Sequence, residues 1–398
     1  MGASPRHARA ALVVVDLAVA LVLLAGAGLM LQSVARLLAL DPGFRSTGVL
    51  TAPFSLVGEA YREDAAVYRF IERTVEQVRA LPGVDAAAIA GQVPMGGNSD
   101  RFGLYIEGRE SLHLADTPSP QRYSVTPDYF RVMGIPLLRG RLFGDGDTPT
   151  STPVMLVSDT AARTVFAGED PIGRRARVGG APGAPWRTIV GVVGDVRHAE
   201  LTEASTPQMY LPQSQFTDSF LVLVASTTTS DPLGLVPSVR ATLREQDPGV
   251  PLYQVATLDD LVARSMARRR FVMVLLAGFA GVALLLAAIG LYGVIAYTVA
   301  QRTREVGLRV ALGATRGHVF RLVLGSGTWT IAAGLLFGLA AAALTTRLLA
   351  GQLYGVEPLD PPTLAGAVLV LAVVALAAHL VPIRRALAVD PTVALRDE

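Results

Sequence analysis

The stretch Ala10–Leu31, AALVVVDLAVALVLLAGAGLML, decides the class of fold. Asp16 is its only ionisable residue, and as a helix the run is long enough to cross about 30 Å of hydrocarbon. Arg6 and Arg9 precede it as they would precede a signal peptide, but the apolar run exceeds the usual core of about 7–15 residues. No small-x-small cleavage site follows before Arg36, so a retained helix over 10–34 is expected, behind a short N-terminus at 1–9.

Three more apolar runs lie far downstream. Residues 271–299 carry no charge and follow the triplet Arg268, Arg269 and Arg270. Residues 319–349 are broken only by Arg321 and Arg347 near the two ends, where long side chains can snorkel to the interface. Residues 363–382 form the last run. The expected fold is a membrane protein with four transmembrane helices in a 1 + 3 pattern, with a large α+β extracytoplasmic domain (41–265) inserted between helices 1 and 2. Arginines set the orientation: Arg302, Arg304, Arg309, Arg316 and Arg321 fall between the second and third runs, and Arg384, Arg385 and Arg396 follow the fourth. By the positive-inside rule both termini are cytoplasmic, with the Arg268–Arg270 triplet as a local exception beside a translocated domain.

Composition agrees with this division. The 398 residues are 51% hydrophobic and 17% charged, with a mean hydropathy of +0.43, against roughly 25% charged in soluble domains. All 35 basic residues are arginine and the net charge is +2, which gives nucleic-acid binding no support. With no cysteine, disulfides and thiolate chemistry are excluded.

Within the inserted segment, residues 60–80 place Ala66, Val67, Phe70, Ile71, Val75 and Val78 at helical spacing before Leu81-Pro82-Gly83. Strands are predicted at 85–90, 102–106, 121–125, 154–158, 188–193 and 220–225, and helices near 127–133, 158–166 and 232–245. Ser158 reads as a helix N-cap and 178–186 as a hairpin turn or exposed loop. No GxxxxGK[ST] run is present and there is no lysine to meet phosphates, so ATP chemistry has to come from another chain. His113, Asp195 and His198 lack metal-ligand spacing; surface or turn roles are expected for them, and no metal site.

Polar and small residues inside the apolar runs are the remaining candidates. Asp16 and His379 are intramembrane ionisable groups. Gly334 and Gly338 form a GxxxG pair, and Gly278, Gly281, Gly290 and Gly293 line the second run; helix packing within the chain and between two chains are both open. The most informative loop is 301–319, QRTREVGLRVALGATRGHV. Val306, Leu308, Val310, Ala311 and Leu312 alternate there with Arg302, Arg304, Glu305 and Arg309, as in an interfacial helix (about 303–314) that a cytoplasmic partner can grip, with Gly313 ending or bending it.

Here the residues resemble a known family. Glu305-Val306-Gly307-Leu308-Arg309 followed by Ala311-Leu312-Gly313-Ala314 resembles the coupling-helix signature of FtsX-like permeases, and the tail PIRRALAVDPTVALR (382–396) resembles that family's ending. Residues 271–398 resemble the FtsX-like permease domain, and Phe44–Thr257 the periplasmic core domain of MacB-type permeases. The resemblance implies an inner-membrane ABC transporter permease subunit without enzyme activity of its own. It implies a separate ABC ATPase that binds the ATP, a second permease chain as homo- or heterodimer, no resident cofactor, and in some members a periplasmic adaptor or outer-membrane factor. Arg304, Glu305, Gly307, Arg309 and Gly313 are then the ATPase-coupling residues, and movement of the periplasmic domain is the output, with export of an unspecified substrate as the main reading. The alternative is a non-transporting envelope scaffold that activates a periplasmic enzyme; an anchored enzyme with its site in 44–257 is a weaker third. MacB itself carries a fused N-terminal ATPase that this chain lacks, and the wording resembles one half of duplicated acidobacterial-type permeases.

Overall fold

The computed structural model describes residues 5–109, 117–181, 183–301, 316–348, 351 and 353–387. The chain divides into two compact units, one of residues 1–39 with 268–398 and one of Leu40–Ala267.

The first unit is helical: α1 (Pro5–Leu38), α7 (Ala267–Gln301), α8 (Arg316–Leu348) and α9 (Pro361–Leu387). Each contains a window long and apolar enough to cross a membrane: Ala11–Leu38, Ala267–Val294, Trp329–Leu348 and Pro361–Ala378. The Arg268–Arg270 triplet therefore belongs to the first turn of α7 rather than to a loop before it. Helix α9 starts where it does because Asp360 caps it, accepting from Thr363 N (3.0 Å) and Thr363 Oγ1 (2.6 Å), while Pro361 and Pro362 need no N–H partners in the first turn.

The second unit is α+β. Its strands are β1 (Val49–Ser55), β2 (Val84–Ala90), β3 (Leu104–Ile106), β4 (Gln121–Val125), β5 (Leu137–Gly140), β6 (Val154–Ser158), β7 (Arg175–Val178), β8 (Trp186–Val193), β9 (Gln208–Pro212), β10 (Phe220–Thr227) and β11 (Ala256–Thr257). Among the described residues they form one sheet in the order β11-β1-β10-β2-β4-β9-β6-β8-β7-β3, with β5 also paired to β8. Among the described residues five α-helices accompany them: α2 (Asp64–Arg79), α3 (Tyr129–Met133), α4 (Asp159–Val165), α5 (Val236–Gln246) and α6 (Leu258–Ser265).

Two cores result from strand alternation. Leu50, Ala52 and Phe54 of β1, Leu221, Leu223 and Ala225 of β10, and Ala87 and Ile89 of β2 share one face, against which α2 and α5 bury Val67, Ile71, Val78, Val239 and Leu243. A second core joins Met155 and Val157, Ile189 and Val192, and Met209 and Leu211 to Ala161, Val165 and Phe166 of and beside α4. The two halves meet at β2 and β4 through a single pair, Ala90 with Val125. Around that junction Tyr123, Tyr129, Phe130 and Tyr210 form a buried aromatic cluster, with the Tyr123 and Tyr210 rings stacked at 5.1 Å.

The helix expected over 60–80 is a short 3-10 turn at Glu59–Tyr61 followed by α2, and 232–245 divides in the same way at Val236. Strands β1, β5, β7, β9 and β11 were not foreseen. Pro53 argues against reading β1 as a strand. The sheet accepts it because β11 pairs only with Leu50 and Thr51, and beyond it the Pro53 carbonyl accepts from Tyr253 N at 3.1 Å. The Pro53 nitrogen faces that same side, where no ladder bond is required. Segment 178–186 connects β7 to β8 in an antiparallel hairpin, and Ser158 caps α4 by accepting from Ala161 N.

Candidate functional site

In the helical unit, α1 is the packing centre, and its longest contact is with α8. Leu17 and Leu21 are buried, and they sit where Gly334 and Gly338 leave room. A Cβ on Gly334 would lie 2.7 Å from Leu17 Cβ, and one on Gly338 would lie 3.0 Å from Leu21 Cβ and 3.1 Å from Ala18 Cα. The GxxxG pair thus lets α8 approach α1 within one chain. Gly290 of α7 faces α1 too, with Val13 Cγ2 at 3.2 Å and Asp16 Oδ2 at 3.8 Å from the position of an added Cβ. Gly278, Gly281 and Gly293 face open space among the described residues. Asp16 is half-buried at the side of α1 turned to α7.

Further along α1 a polar group secures the α8–α9 connection. Tyr354 N donates to Ser33 Oγ at 2.9 Å. The Gln32 amide nitrogen donates to Thr363 Oγ1 and Asp360 Oδ2 at 3.2 Å each, and its oxygen accepts from Arg36 Nη2 at 3.2 Å. His379 lies in α9, but its side chain is outside the described ones. Arg304, Glu305, Gly307, Arg309 and Gly313 also fall outside the described residues, as does His113.

In the α+β unit the sequence reading missed two polar clusters. Arg122 of β4 has a side chain only 5% exposed. It donates to Asp218 through two nitrogens, Nη1 to Oδ2 at 3.1 Å and Nη2 to Oδ1 at 2.9 Å, and its Nη2 also contacts Asp100. Phe216 and Phe102 stack on the guanidinium at 4.4 and 4.9 Å. Gln92 completes the enclosure, donating to the Arg122 carbonyl at 2.6 Å and accepting from Asp100 N at 3.2 Å, while Ser124 Oγ donates to Asp218. Burial pushes the Asp100 carboxyl above its usual range, with the neighbouring Asp218 adding to the effect and Arg122 opposing it. Asp100, Arg122 and Asp218 of this network line a cleft of about 660 Å³ together with Pro53, Phe220, Val222, Leu261 and Arg264. Met95 and Gln254, both on the cleft, hold positive φ values of 60° and 47°.

His198 corrects the surface or turn role expected of it: it is 6% exposed and built into the core. Its Nε2 faces the Asn98 carbonyl at 2.8 Å and its Nδ1 faces the Tyr123 hydroxyl at 2.5 Å. A carbonyl only accepts, so Nε2 carries the proton and Nδ1 accepts from Tyr123. Asp195 instead caps α4, accepting from Thr160 N (2.8 Å) and Oγ1 (2.7 Å). Among the described residues no group of three or more His, Asp or Glu side chains is arranged to hold a metal ion.

The one signal for the Arg122 cluster in sequence was an arginine inside a short strand, QRYSV; its carboxylate partner lies 96 positions away.

Comparison with known proteins places both halves of the chain. Residues 13–236 match the MacB-like periplasmic core domain, and residues 277–391 match the FtsX-like permease C-terminal domain. A Bacillus subtilis protein described as an uncharacterized ABC transporter permease, YknZ, is 25% identical over 69% of this chain and 69% of its own length. The macrolide export ATP-binding/permease protein MacB of Sodalis glossinidius is 26% identical over 83% of this chain, a match that spans about half (51%) of that relative. The solved periplasmic region of MacB from Actinobacillus actinomycetemcomitans aligns with 57% of this chain and 95% of its own at 17% identity and a TM-score of 0.39. With one domain model covering more than half of the chain and a second covering most of the remainder, the chain belongs to the ABC transporter permeases of the MacB/FtsX-like family.

Proposed function

We propose that this chain is the permease subunit of an ABC system that converts ATP hydrolysis by a separate ATPase subunit into movement of its α+β domain. The observation that carries the reading is the close approach of α8 to α1 at Gly334 and Gly338. Helix α8 follows directly on the segment 302–315 that bears the EVGLR…ALGA signature, and α1 leads at Leu38 into the α+β unit. A push on the 302–315 segment enters α8, and the glycine contacts transmit it to α1 with little side-chain slack between the two backbones. In this reading Arg304, Glu305, Gly307, Arg309 and Gly313 engage the ATPase, both termini are cytoplasmic, and the α+β domain lies outside the inner membrane. Two copies of the permease flank the ATPase pair, and export of a substrate is the output.

The test is reconstitution of the purified chain with candidate ABC ATPase subunits of the same organism. Stimulation of ATP hydrolysis by the wild-type chain is expected. Glu305→Ala or Gly313→Leu is expected to abolish most of that stimulation while leaving membrane insertion intact. Equal stimulation by both variants and the wild type would overturn the coupling assignment.

A further inference from the structure

The triplet Arg268–Arg270, which runs against the charge rule that orients the chain, opens α7 at the end where the polypeptide arrives from the α+β unit. No aspartate or glutamate occurs anywhere in 267–301. The N-terminal end of a helix carries a partial positive charge, so three cations placed there repel it and one another. Arg36 and Arg347, by contrast, lie in the last turns of α1 and α8, where the helix dipole favours a cation, and α9 starts behind an acidic cap, Asp360. Arg268 and Arg270 are exposed, and among the described residues neither has an ion-pair or hydrogen-bond partner. The anion that balances them has to come from outside the described chain.

The second observation says where that anion sits. The arginines stand at the edge of the apolar window Ala267–Val294, immediately before a run with no charged residue up to Gln301. Directly below them Phe271, Val274, Leu275, Phe279 and Val282 are 42–64% exposed and follow one another at helical spacing, as one stripe open to lipid. At about 100° per residue, Arg268 and Arg270 fall on the two sides of this stripe. Long basic side chains in this position reach the level of the lipid headgroups.

We propose that Arg268 and Arg270 hold the headgroup phosphate of an anionic phospholipid, with its acyl chains along the stripe from Phe271 to Val282. A guanidinium fork matches phosphate oxygens, and cations without a protein counter-ion select a headgroup that carries net charge. In a zwitterionic lipid the phosphate is already balanced by its own quaternary amine. The lipid belongs to the leaflet in which α7 begins. Its binding depends neither on which face of the membrane is cytoplasmic nor on whether the 302–315 segment engages an ATPase.

The experiment uses the full chain, delipidated in detergent, with dioleoyl phosphatidylglycerol or dioleoyl phosphatidylcholine as the probe and native mass spectrometry as the readout. The wild type is expected to bind phosphatidylglycerol at least fivefold more tightly, since one arginine at an anionic lipid surface contributes about fivefold. Arg268→Gln/Arg270→Gln is expected to lose that preference while its phosphatidylcholine affinity stays within twofold of wild type, which also establishes that the helices are intact. Arg240→Gln/Arg244→Gln, which removes two exposed arginines from α5, is expected to keep the preference. Equal affinity of the wild type for the two lipids, equal loss in the two double variants, or an undiminished preference in Arg268→Gln/Arg270→Gln would each overturn the proposal. Displacement of phosphatidylglycerol by millimolar glycerol 1-phosphate would overturn it too, by marking a site for a free phosphate ester, as would a switch of Arg268→Gln/Arg270→Gln from dimer to monomer with its lipid preference intact, which would assign the face to a second copy of the chain.

Discussion

Replacing Arg122 by methionine tests the buried ion network most directly. The substitution keeps an unbranched side chain between Phe102 and Phe216 but removes the charge that Asp100 and Asp218 share. Removing one partner of a buried pair costs about 3–5 kcal/mol, because the remaining charge stays desolvated. The Asp218 side chain is 17% exposed and takes most of that penalty; Asp100, at 34%, is partly screened by water, which argues for the lower half of the range. Loss of the two stacked cation–ring contacts adds about 0.5–2 kcal/mol each, offset in part by methionine packing on the rings. A net destabilisation of about 3–5 kcal/mol corresponds to a fall in melting temperature of roughly 6–20 °C for a domain of this size.

The chain has two tryptophans, Trp186 in β8 and Trp329 in α8, so a Trp329→Phe background leaves one reporter inside the α+β unit. Urea unfolding of the full chain, followed by Trp186 fluorescence, measures the change. The triple variant Arg122→Met/Asp100→Asn/Asp218→Asn is expected to recover more than half of the loss, because it removes the stranded charges as well as the cation. The deficit of the single variant is also expected to shrink as pH falls, because burial already holds the Asp100 carboxyl above its usual range and the substitution removes the Arg122 charge that opposes this. A single variant within 1 kcal/mol of the parent, or a triple variant as unstable as the single, would refute the reasoning.

Two further predictions concern acid and packing. Burial, reinforced by Arg101, holds the His198 pKa below its ordinary 6.5, against smaller opposing effects of the Asn98 carbonyl and Glu203. Below pH 6.5 the unfolded chain therefore binds a proton that the folded domain refuses. The stability present above that pH is lost as pH falls towards the folded value, by at most about 1.4 kcal/mol per pH unit. The Trp186 urea midpoint should show this slope between pH 7 and 5.5, and His198→Gln should lower the midpoint at pH 7.5 while flattening the slope; identical slopes would remove His198 as the cause. In α8, Gly338→Leu drives side-chain atoms into Leu21 and the Ala18 backbone. It should loosen the α1–α8 contact and lower the thermal midpoint of the full chain in detergent, whereas Gly281→Leu, which meets nothing in the described residues, should leave that midpoint at the parent value; equal midpoints for the two variants would refute the packing role.

How much was readable in advance differs between the two units. Membrane spans need only length and apolarity, because hydrocarbon forces every backbone polar group into the helix itself. Four runs of sequence therefore located four helices, and the EVGLR…ALGA and PIRRALAVDPTVALR segments carried the family. In the α+β unit, strands with alternating or continuous apolar residues, such as 121–125 and 154–158, were legible to the residue. Strands bounded or interrupted by proline, β1 and β9, were not, since Pro53 is tolerable only where the neighbouring strand has already ended.

The sequence by itself determined the class of protein: four apolar helices, an inserted domain and a family signature, all of which depend on local composition. The tertiary structure alone decided which glycines pack. Gly334 and Gly338 meet Leu17 and Leu21, while Gly278 and Gly281 of the same residue type meet nothing in the described residues. It alone paired Arg122 with Asp218 and buried His198 against Tyr123. Such contacts arise between residues far apart in the chain, and their energies depend on exclusion of water, a property that no single stretch of sequence possesses.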